Sequence, residues 1–316
     1  MSGGTPRFFD DAAVEAATPW PALIDAIRRA FDEAGSSPPR HHHTVPADGG
    51  DITLLLMPAW QRAGAFGVKL AAVAPANARR SLPTLHGVYV LFAGDTGQPQ
   101  AVLDAGALTA RRTAAASALA ASYLARPDAR TLLVVGTGRV ARQLAVAHGA
   151  VRPIAEVRIW GRNADHAEAA AREVSRATDA RVVAVPELEA AVATADIVSC
   201  ATASNEPLLR GRWLAPGTHV DLVGAYTPEM CEADADAVAR AAAVYVDTLD
   251  GAREEAGDLL QAQAAGVFSF EAIAGDLFAM AAKNRSLRGD DADITLYKSV
   301  GTALQDLAAA ELCLAG

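Results

Sequence analysis

Thr131-Leu132-Leu133-Val134-Val135-Gly136-Thr137-Gly138-Arg139-Val140-Ala141-Arg142-Gln143-Leu144 is the stretch on which the reading of this chain turns. An apolar, β-branched run breaks into Gly136-x-Gly138-x-x-Ala141 and then resumes at helical spacing, the pattern of a strand, a tight turn and a helix that binds a dinucleotide. Gly136 lets the chain leave the strand sharply, Gly138 lets the backbone approach a pyrophosphate, and the small Ala141 lets the helix pack close on the strand. The phosphates belong at the helix N-terminus, where unpaired N–H groups and the helix dipole favour negative charge. Residues Gly136, Thr137, Gly138, Arg139, Val140 and Ala141 are therefore candidate cofactor contacts.

A second strand, residues 156–160, follows one helix later and completes a β–α–β unit. Its tip reads Gly161-Arg162-Asn163. Proteins that take NAD(H) commonly place an acidic side chain on the ribose hydroxyls here, whereas Arg162 and Asn163 suit a 2′-phosphate. The cofactor expected is NADP(H), with NAD(H) as the alternative. Apolar runs at 181–185, 196–201, 218–223 and 243–247 continue to alternate with helical segments, which predicts an α/β fold with a Rossmann-type doubly wound parallel sheet.

The first third has a different rhythm. Pro21 opens a helical pattern with Leu23, Ile24, Ile27 and Phe31 on one face. Strand-like runs follow at 52–57, 66–73, 84–92 and 99–103, as in an antiparallel sheet. Thr109 then opens a long alanine-rich helix to about Leu124, and residues 125–130 read as the domain junction. The tail from Ile294 to Leu314 reads as an amphipathic helix. The expected organisation is an α+β substrate and dimerisation domain, residues 1–125 with a C-terminal helix 302–316, and a dinucleotide-binding domain, residues 126–301.

Composition narrows the function. The 316 residues are 51% hydrophobic and carry a formal charge of −9, enough apolar content for two cores and the wrong sign for a nucleic-acid or anionic-membrane surface. The cysteines Cys200, Cys231 and Cys313 lack metal-ligand spacing and suit a reducing compartment. The N-terminus has no charged-then-apolar signal pattern, and no apolar run reaches the roughly 20 residues of a membrane span. A cytoplasmic enzyme acting on a small molecule is expected.

Of 28 basic residues only Lys69, Lys283 and Lys298 are lysines. Lys69 lies inside the apolar run 65–73, where a desolvated ammonium is costly unless it meets an anion. In Thr109-Ala110-Arg111-Arg112-Thr113-Ala114, Arg112 and Thr113 fall in the expected first helical turn. There a guanidinium and free N–H groups could together grip a carboxylate, while Arg111 faces solvent. The consecutive His41, His42 and His43 alternate sides on an extended segment and do not converge on one metal ion. No zinc-protease, paired-cysteine or serine-elbow pattern occurs, which leaves hydride chemistry.

Beyond these readings the chain resembles the ornithine cyclodeaminase/mu-crystallin family over nearly its whole length. The resemblance is carried by Val68-Lys69-Leu70, Leu82-Pro83-Thr84, Leu108 to Ala115, Gly136-Thr137-Gly138, Trp160-Gly161-Arg162, Val223 to Glu232, Glu255-Ala256-Gly257-Asp258 and Thr295 to Gly301, in family order. It implies a homodimer and a small 2-imino or 2-oxo acid substrate, with Arg40, Lys69 and Arg112 on its carboxylate and Thr84 lining the same pocket. It also implies that Thr113, Ala201, Thr202, Lys298, Ser299 and Gly301 join the glycine turn around the cofactor. The cyclodeaminases' Gly-Gly-Asp-Cys-Pro motif is replaced here by Gly224-Ala225-Tyr226-Thr227-Pro228, so their catalytic aspartate is missing. The sequence is closer to members that reduce imines of 2-oxo acids, and the implied reaction is reduction of Δ1-pyrroline-2-carboxylate or Δ1-piperideine-2-carboxylate. Lys69, Arg112 and Tyr226 are the candidate catalytic groups; the proton comes from solvent or from Lys69 or Tyr226, with Lys69 a binder first, because a lysine clamped to a carboxylate stays charged and is a poor acid. An amino-acid dehydrogenase, a cyclodeaminase, a condensing imine reductase and a non-catalytic ligand-binding protein are the alternatives.

Overall fold

The computed structural model describes residues 5–33, 35–62, 64–80 and 82–316, except the side chain of Ala78. The chain divides into two compact units, one running to Arg112 and resuming at Thr302–Gly316, the other Thr113–Gly301. The division falls inside a helix, short of the expected junction at 125–130.

The first unit begins with β1 (Arg7–Phe9), α1 (Asp11–Ala17), α2 (Trp20–Asp32), β2 (His41–Val45), β3 (Ile52–Trp60), β4 (Phe66–Val73), β5 (Leu85–Phe92) and β6 (Pro99–Asp104), and enters α3 (Ala105–Leu124). Its sheet runs β1-β6-β5-β4-β3-β2, with β1 parallel to β6 and the other pairs antiparallel. Side chains alternate across β4, so Gly67, Lys69 and Ala71 are buried while Phe66 and Leu70 face outward. The buried face continues through Leu55, Met57, Ala59, Tyr89 and Leu91 of the flanking strands, and the C-terminal helix lies between it and the apolar face of α2 with Leu23, Ile27 and Phe31.

Helix α3 starts earlier than the expected Thr109. Asp104, at the end of β6, accepts the Ala107 N–H at 2.7 Å and caps the new helix. Arg112 and Thr113 consequently sit in the helix interior, beyond the first turn with its free N–H groups. The expectation that those backbone groups help to grip a carboxylate does not hold.

The second unit comprises β7 (Thr131–Val135), α4 (Arg139–Ala147), β8 (Glu156–Trp160), α5 (Ala164–Val174), β9 (Arg181–Ala184), α6 (Leu188–Val192), β10 (Ile197–Cys200), β11 (His219–Leu222), α7 (Ala235–Ala239), β12 (Ala243–Val246), α8 (Leu249–Glu255), α9 (Gly257–Ala264), β13 (Ile273–Asp276), α10 (Leu277–Lys283) and β14 (Thr295–Lys298). The strands are parallel in the order β13-β12-β14-β11-β10-β7-β8-β9. This is the doubly wound sheet expected. Leu133, Val135, Val198, Val220 and Leu296 fill one core, while Leu132, Val134, Val157, Ile159 and Ile197 fill another. Helices cover both faces, which explains why these strands are continuous apolar runs. The chain winds outward through β7, β8 and β9, then returns to β10 beside β7. That reversal makes the carboxyl ends of β7 and β10 the place where such sheets bind ligands.

The tail departs from its expected helix. Thr295–Lys298 is a strand, paired with β11 on one side and β12 on the other. Only α11 (Ala303–Ala315) is helical, and every residue from Ala303 to Ala310 is buried, so it is not amphipathic. A stretch containing Ile294, Thr295 and Tyr297 favours extended backbone, and burial on both faces masks the alternation that marks a strand. Helix α11 belongs to the first unit, where it packs on α2, β3 and β4.

Candidate functional site

In the second unit the glycine turn has the shape its sequence demands. Gly136 leaves β7 at φ +130°, and a Cβ there would lie 2.6 Å from the Ala201 carbonyl oxygen. Both observations require glycine. Gly138 is the N-cap of α4 with extended backbone and no side-chain cap, and a Cβ built on it meets nothing within 4 Å. The start of α4 thus has open space beside its N-cap and no side chain capping it, as an anion-binding helix start requires. Ala141 is buried against Gly136, Val140 is half-buried, and Arg139 is exposed. The turn has the shape and the open space that the phosphates of a dinucleotide require.

At the tip of β8, Arg162 and Asn163 are exposed. They have different roles. Asn163 caps α5 by accepting the His166 N–H at 3.0 Å, so its oxygen is engaged, whereas Arg162 carries its charge at the strand end.

The loops after β10 and β11 are tied together by a residue the sequence reading passed over. Glu232, fully buried, accepts N–H groups from Thr202 at 2.6 Å, Gly224 at 2.6 Å and Ala225 at 3.3 Å, and the Thr202 hydroxyl at 2.9 Å. Burial pushes its carboxyl upward, while Lys298 and the N–H donors pull it back. Asp258 accepts the Glu232 and Ala233 N–H groups at 2.7 and 3.0 Å and pairs with Lys298 Nζ at 2.8 Å. Asp247 receives the Ser299 hydroxyl at 2.9 Å and the Val300 and Gly301 N–H groups at 3.0 and 2.6 Å. Thr202, Lys298 and Ser299 thus direct their side chains to carboxylates of their own unit and fix the loop ends. Ala201 backs the glycine turn through its carbonyl, Thr113 is buried in α3, and Tyr226 is exposed on the loop after β11.

The first unit holds the other candidates. Lys69 on β4 and Arg112 on α3 are 2% and 5% exposed, and they share one carboxylate, Asp306 on α11, which is fully buried. Lys69 Nζ lies 2.8 Å from Asp306 Oδ2 and Arg112 Nε 3.1 Å from Oδ1, while Arg112 Nη1 donates to Gln305 Oε1 at 2.7 Å. Lys69 also reaches the Thr109 hydroxyl at 3.4 Å. Two cations share one anion. Burial lowers the Lys69 pKa to about 8, with Asp306 opposing the fall and Arg112 and Arg40 adding to it. Arg40 is therefore close enough to contribute positive charge, and it stands half-buried just before β2. Thr84 is exposed in the bend before β5.

Arg111 does not face solvent as expected. It is buried, donates from Nε to the Thr18 hydroxyl at 3.1 Å and from Nη2 to the Thr18 carbonyl, and stacks 3.5 Å over the Trp20 ring. The guanidinium ties α3 to the start of α2. Among the residues missed, Asp306 carried the same signal that marked Lys69, since Gly301 to Ala310 holds a lone carboxylate in an apolar stretch.

The profile of the Ornithine cyclodeaminase/mu-crystallin family matches residues 7–314. A Delta(1)-pyrroline-2-carboxylate reductase of Paracoccus denitrificans is 36% identical over 311 residues, covering 96% of this chain and 94% of the relative. Among solved structures, the Thermococcus litoralis Delta(1)-pyrroline-2-carboxylate reductase in complex with NADH and L-proline superposes with a TM-score of 0.91 at 29% identity, covering 98% of this chain and 96% of that one. An archaeal alanine dehydrogenase dimer with bound NAD gives 0.88 at 28% identity, with 98% and 95% covered.

Proposed function

Because the chain belongs to the ornithine cyclodeaminase/mu-crystallin family, we propose that it reduces a small cyclic 2-imino acid, Δ1-pyrroline-2-carboxylate or Δ1-piperideine-2-carboxylate, to the cyclic amino acid with NAD(P)H. The observation that carries this reading is the pair of buried cations, Lys69 and Arg112, held by a single internal carboxylate. With Asp306 engaging Nε and Gln305 engaging Nη1, Arg112 keeps Nη2 for a substrate carboxylate, and Lys69 keeps a third N–H. Burial strengthens both interactions relative to water. Arg40 adds charge, and Thr84 belongs to the same proposed pocket.

Reduced nicotinamide supplies the hydride when bound, on the turn formed by Gly136, Thr137 and Gly138. The chain's own task is to fix the carboxylate so that the C=N bond is presented for attack, and such positioning accounts for much of the rate gain. An iminium accepts hydride far better than an imine, so the nitrogen must also receive a proton. Lys69, with its pKa near 8, is protonated at neutral pH and serves first as a binder, because a bound carboxylate keeps it charged and makes it a poor acid. Solvent and Tyr226 are the other proton sources. The preferred cofactor is NADP(H), on the strength of the Arg162 charge at the β8 tip.

The working unit proposed is a cytoplasmic homodimer. The outer face of the first unit's sheet is apolar across its strands, where Trp60 pairs with Phe66 and Phe66 with Phe92, and Phe8 and Leu70 are exposed. A second copy would cover such a face. The alanine dehydrogenase likeness favours a second reading, an amino-acid dehydrogenase, which product analysis with the matching 2-oxo acid and ammonia separates from the first.

The test is loss of reduced-nicotinamide absorbance when purified protein meets NADPH and Δ1-pyrroline-2-carboxylate. Turnover is expected, and Arg112→Ala should lower kcat/KM by about 2–5 kcal/mol of transition-state binding. No turnover across cyclic imino acids would refute the proposal.

A further inference from the structure

Buried like charges repel, and two cations with one anion between them are an unbalanced arrangement for an apolar interior. Among the described residues, polar groups face Lys69 from α11, α3, β5 and the segment before β2. Asp306 comes from α11, Arg112 and the Thr109 hydroxyl from α3, Arg40 from the segment before β2, and Tyr89 from the neighbouring position on β5. Asp306 is the one carboxylate among these groups. Its two oxygens are divided between the two cations, one each, so it sets the spacing of Lys69 and Arg112 and favours the charged form of Lys69. Gln305, its neighbour in α11, turns the guanidinium from the Nη1 side. The first turn of the C-terminal helix thus holds the cluster through Lys69 Nζ and through Nε and Nη1 of Arg112.

We propose that Asp306 is a positioning residue of the substrate site: it holds Lys69 charged beside Arg112 and orients both so that their remaining N–H donors receive the substrate carboxylate. This rests on the reading of Lys69 and Arg112 as the carboxylate clamp. Without Asp306, burial and the two arginines would strip the proton from Lys69 at neutral pH, and the clamp would lose half its charge. Asp306 touches no reacting atom, and its effect passes through the two cations.

The probe is pyrrole-2-carboxylate, a planar ring acid that cannot be reduced as an imine. Its binding is followed by calorimetry from pH 6 to 10 in the wild type, Asp306→Asn and Asp306→Glu. In the wild type, binding should weaken as pH rises through about 8, where Lys69 loses its proton. In Asp306→Asn the same weakening should move to lower pH by about one to three pH units, and Asp306→Glu should restore it. A structural role alone would lower Tm and leave the pH profile in place, and that result overturns the proposal. If the wild type binds no ring carboxylate at any pH, the clamp reading itself fails.

Should Asp306→Asn not fold, the wild type still decides the matter. With three lysines in the chain, carbon-labelled lysine gives three side-chain NMR signals, and Lys69→Arg identifies the one of interest. The Lys69 signal should titrate near pH 8, and added pyrrole-2-carboxylate should raise that pH. A Lys69 signal that is already neutral at pH 7 shows that Asp306 does not hold it charged and overturns the proposal.

Discussion

Two of the three lysines in this chain are buried, and their surroundings differ in sign. Lys69, in the first unit, shares Asp306 with Arg112 and has Arg40 nearby, an excess of positive charge. Lys298, in the second unit, pairs with Asp258 and acts on Glu232, an excess of negative charge, and those carboxylates in turn hold backbone N–H groups of the surrounding loops. An anion-rich cluster can satisfy itself with N–H donors of its own chain. A cation-rich cluster is completed by an outside anion. Burial of a lysine is not by itself a sign of function; the balance of charge around it is.

The largest effect that tests this contrast is a matched pair of substitutions. Lys298→Met leaves Asp258 and Glu232 without their cation and should destabilise the protein by about 3–5 kcal/mol, measured by urea unfolding. Lys69→Met leaves Asp306 with Arg112 and should cost less stability while weakening substrate binding. If Lys69→Met proves the more destabilising and Lys298→Met the more damaging to KM, the assignment of roles is reversed.

Acidification is next. His219, fully buried on β11 with Nδ1 3.0 Å from the Thr295 hydroxyl, has its pKa lowered to about 3 by burial. Below its ordinary 6.5 the unfolded chain binds a proton that the folded chain refuses, so stability present above that pH is lost as pH falls towards 3. The slope from this group is on the order of 1.4 kcal/mol per pH unit. Urea midpoints in His219→Asn should depend less steeply on pH over this range than in the wild type.

The glycine turn supplies a smaller contrast. Gly136→Ala meets both the left-handed backbone and the Ala201 carbonyl and should cost about 1–3 kcal/mol of stability. Gly138→Ala has room within the protein, so Tm should hold while KM for the dinucleotide rises. Equal Tm losses in both variants would show that the space at Gly138 belongs to packing. The smallest effect is at Arg162. There Arg162→Ala should reduce kcat/KM with NADPH severalfold and leave NADH unaffected, and equal losses with both would remove the 2′-phosphate reading.

How much of this was legible in the sequence follows from how local each signal is. The glycine turn was legible because its demands are met within a few residues, and the strands β7, β8, β10 and β11 because apolar runs with glycine breaks need no partner to be recognised. The β14 strand was not, since burial on both faces erases periodicity. Arg111 and Arg112 adjoin in sequence, yet one stacks on Trp20 and the other meets Asp306, a distinction that only contacts far along the chain create. Lys69 was legible as a cation needing an anion. That the first anion it meets is the chain's own, 237 positions away, was beyond any local rule.

The central claim, that the cation-rich cluster binds the carboxylate of an imine substrate, is tested most directly by comparing NADPH oxidation with Δ1-pyrroline-2-carboxylate and with Δ1-pyrroline, which lacks only the carboxylate. The account predicts a kcat/KM at least about a hundredfold higher for the acid, as loss of a buried charge-assisted contact implies, and a much smaller ratio in Arg112→Ala. Equal turnover of the two rings by the wild type would contradict it.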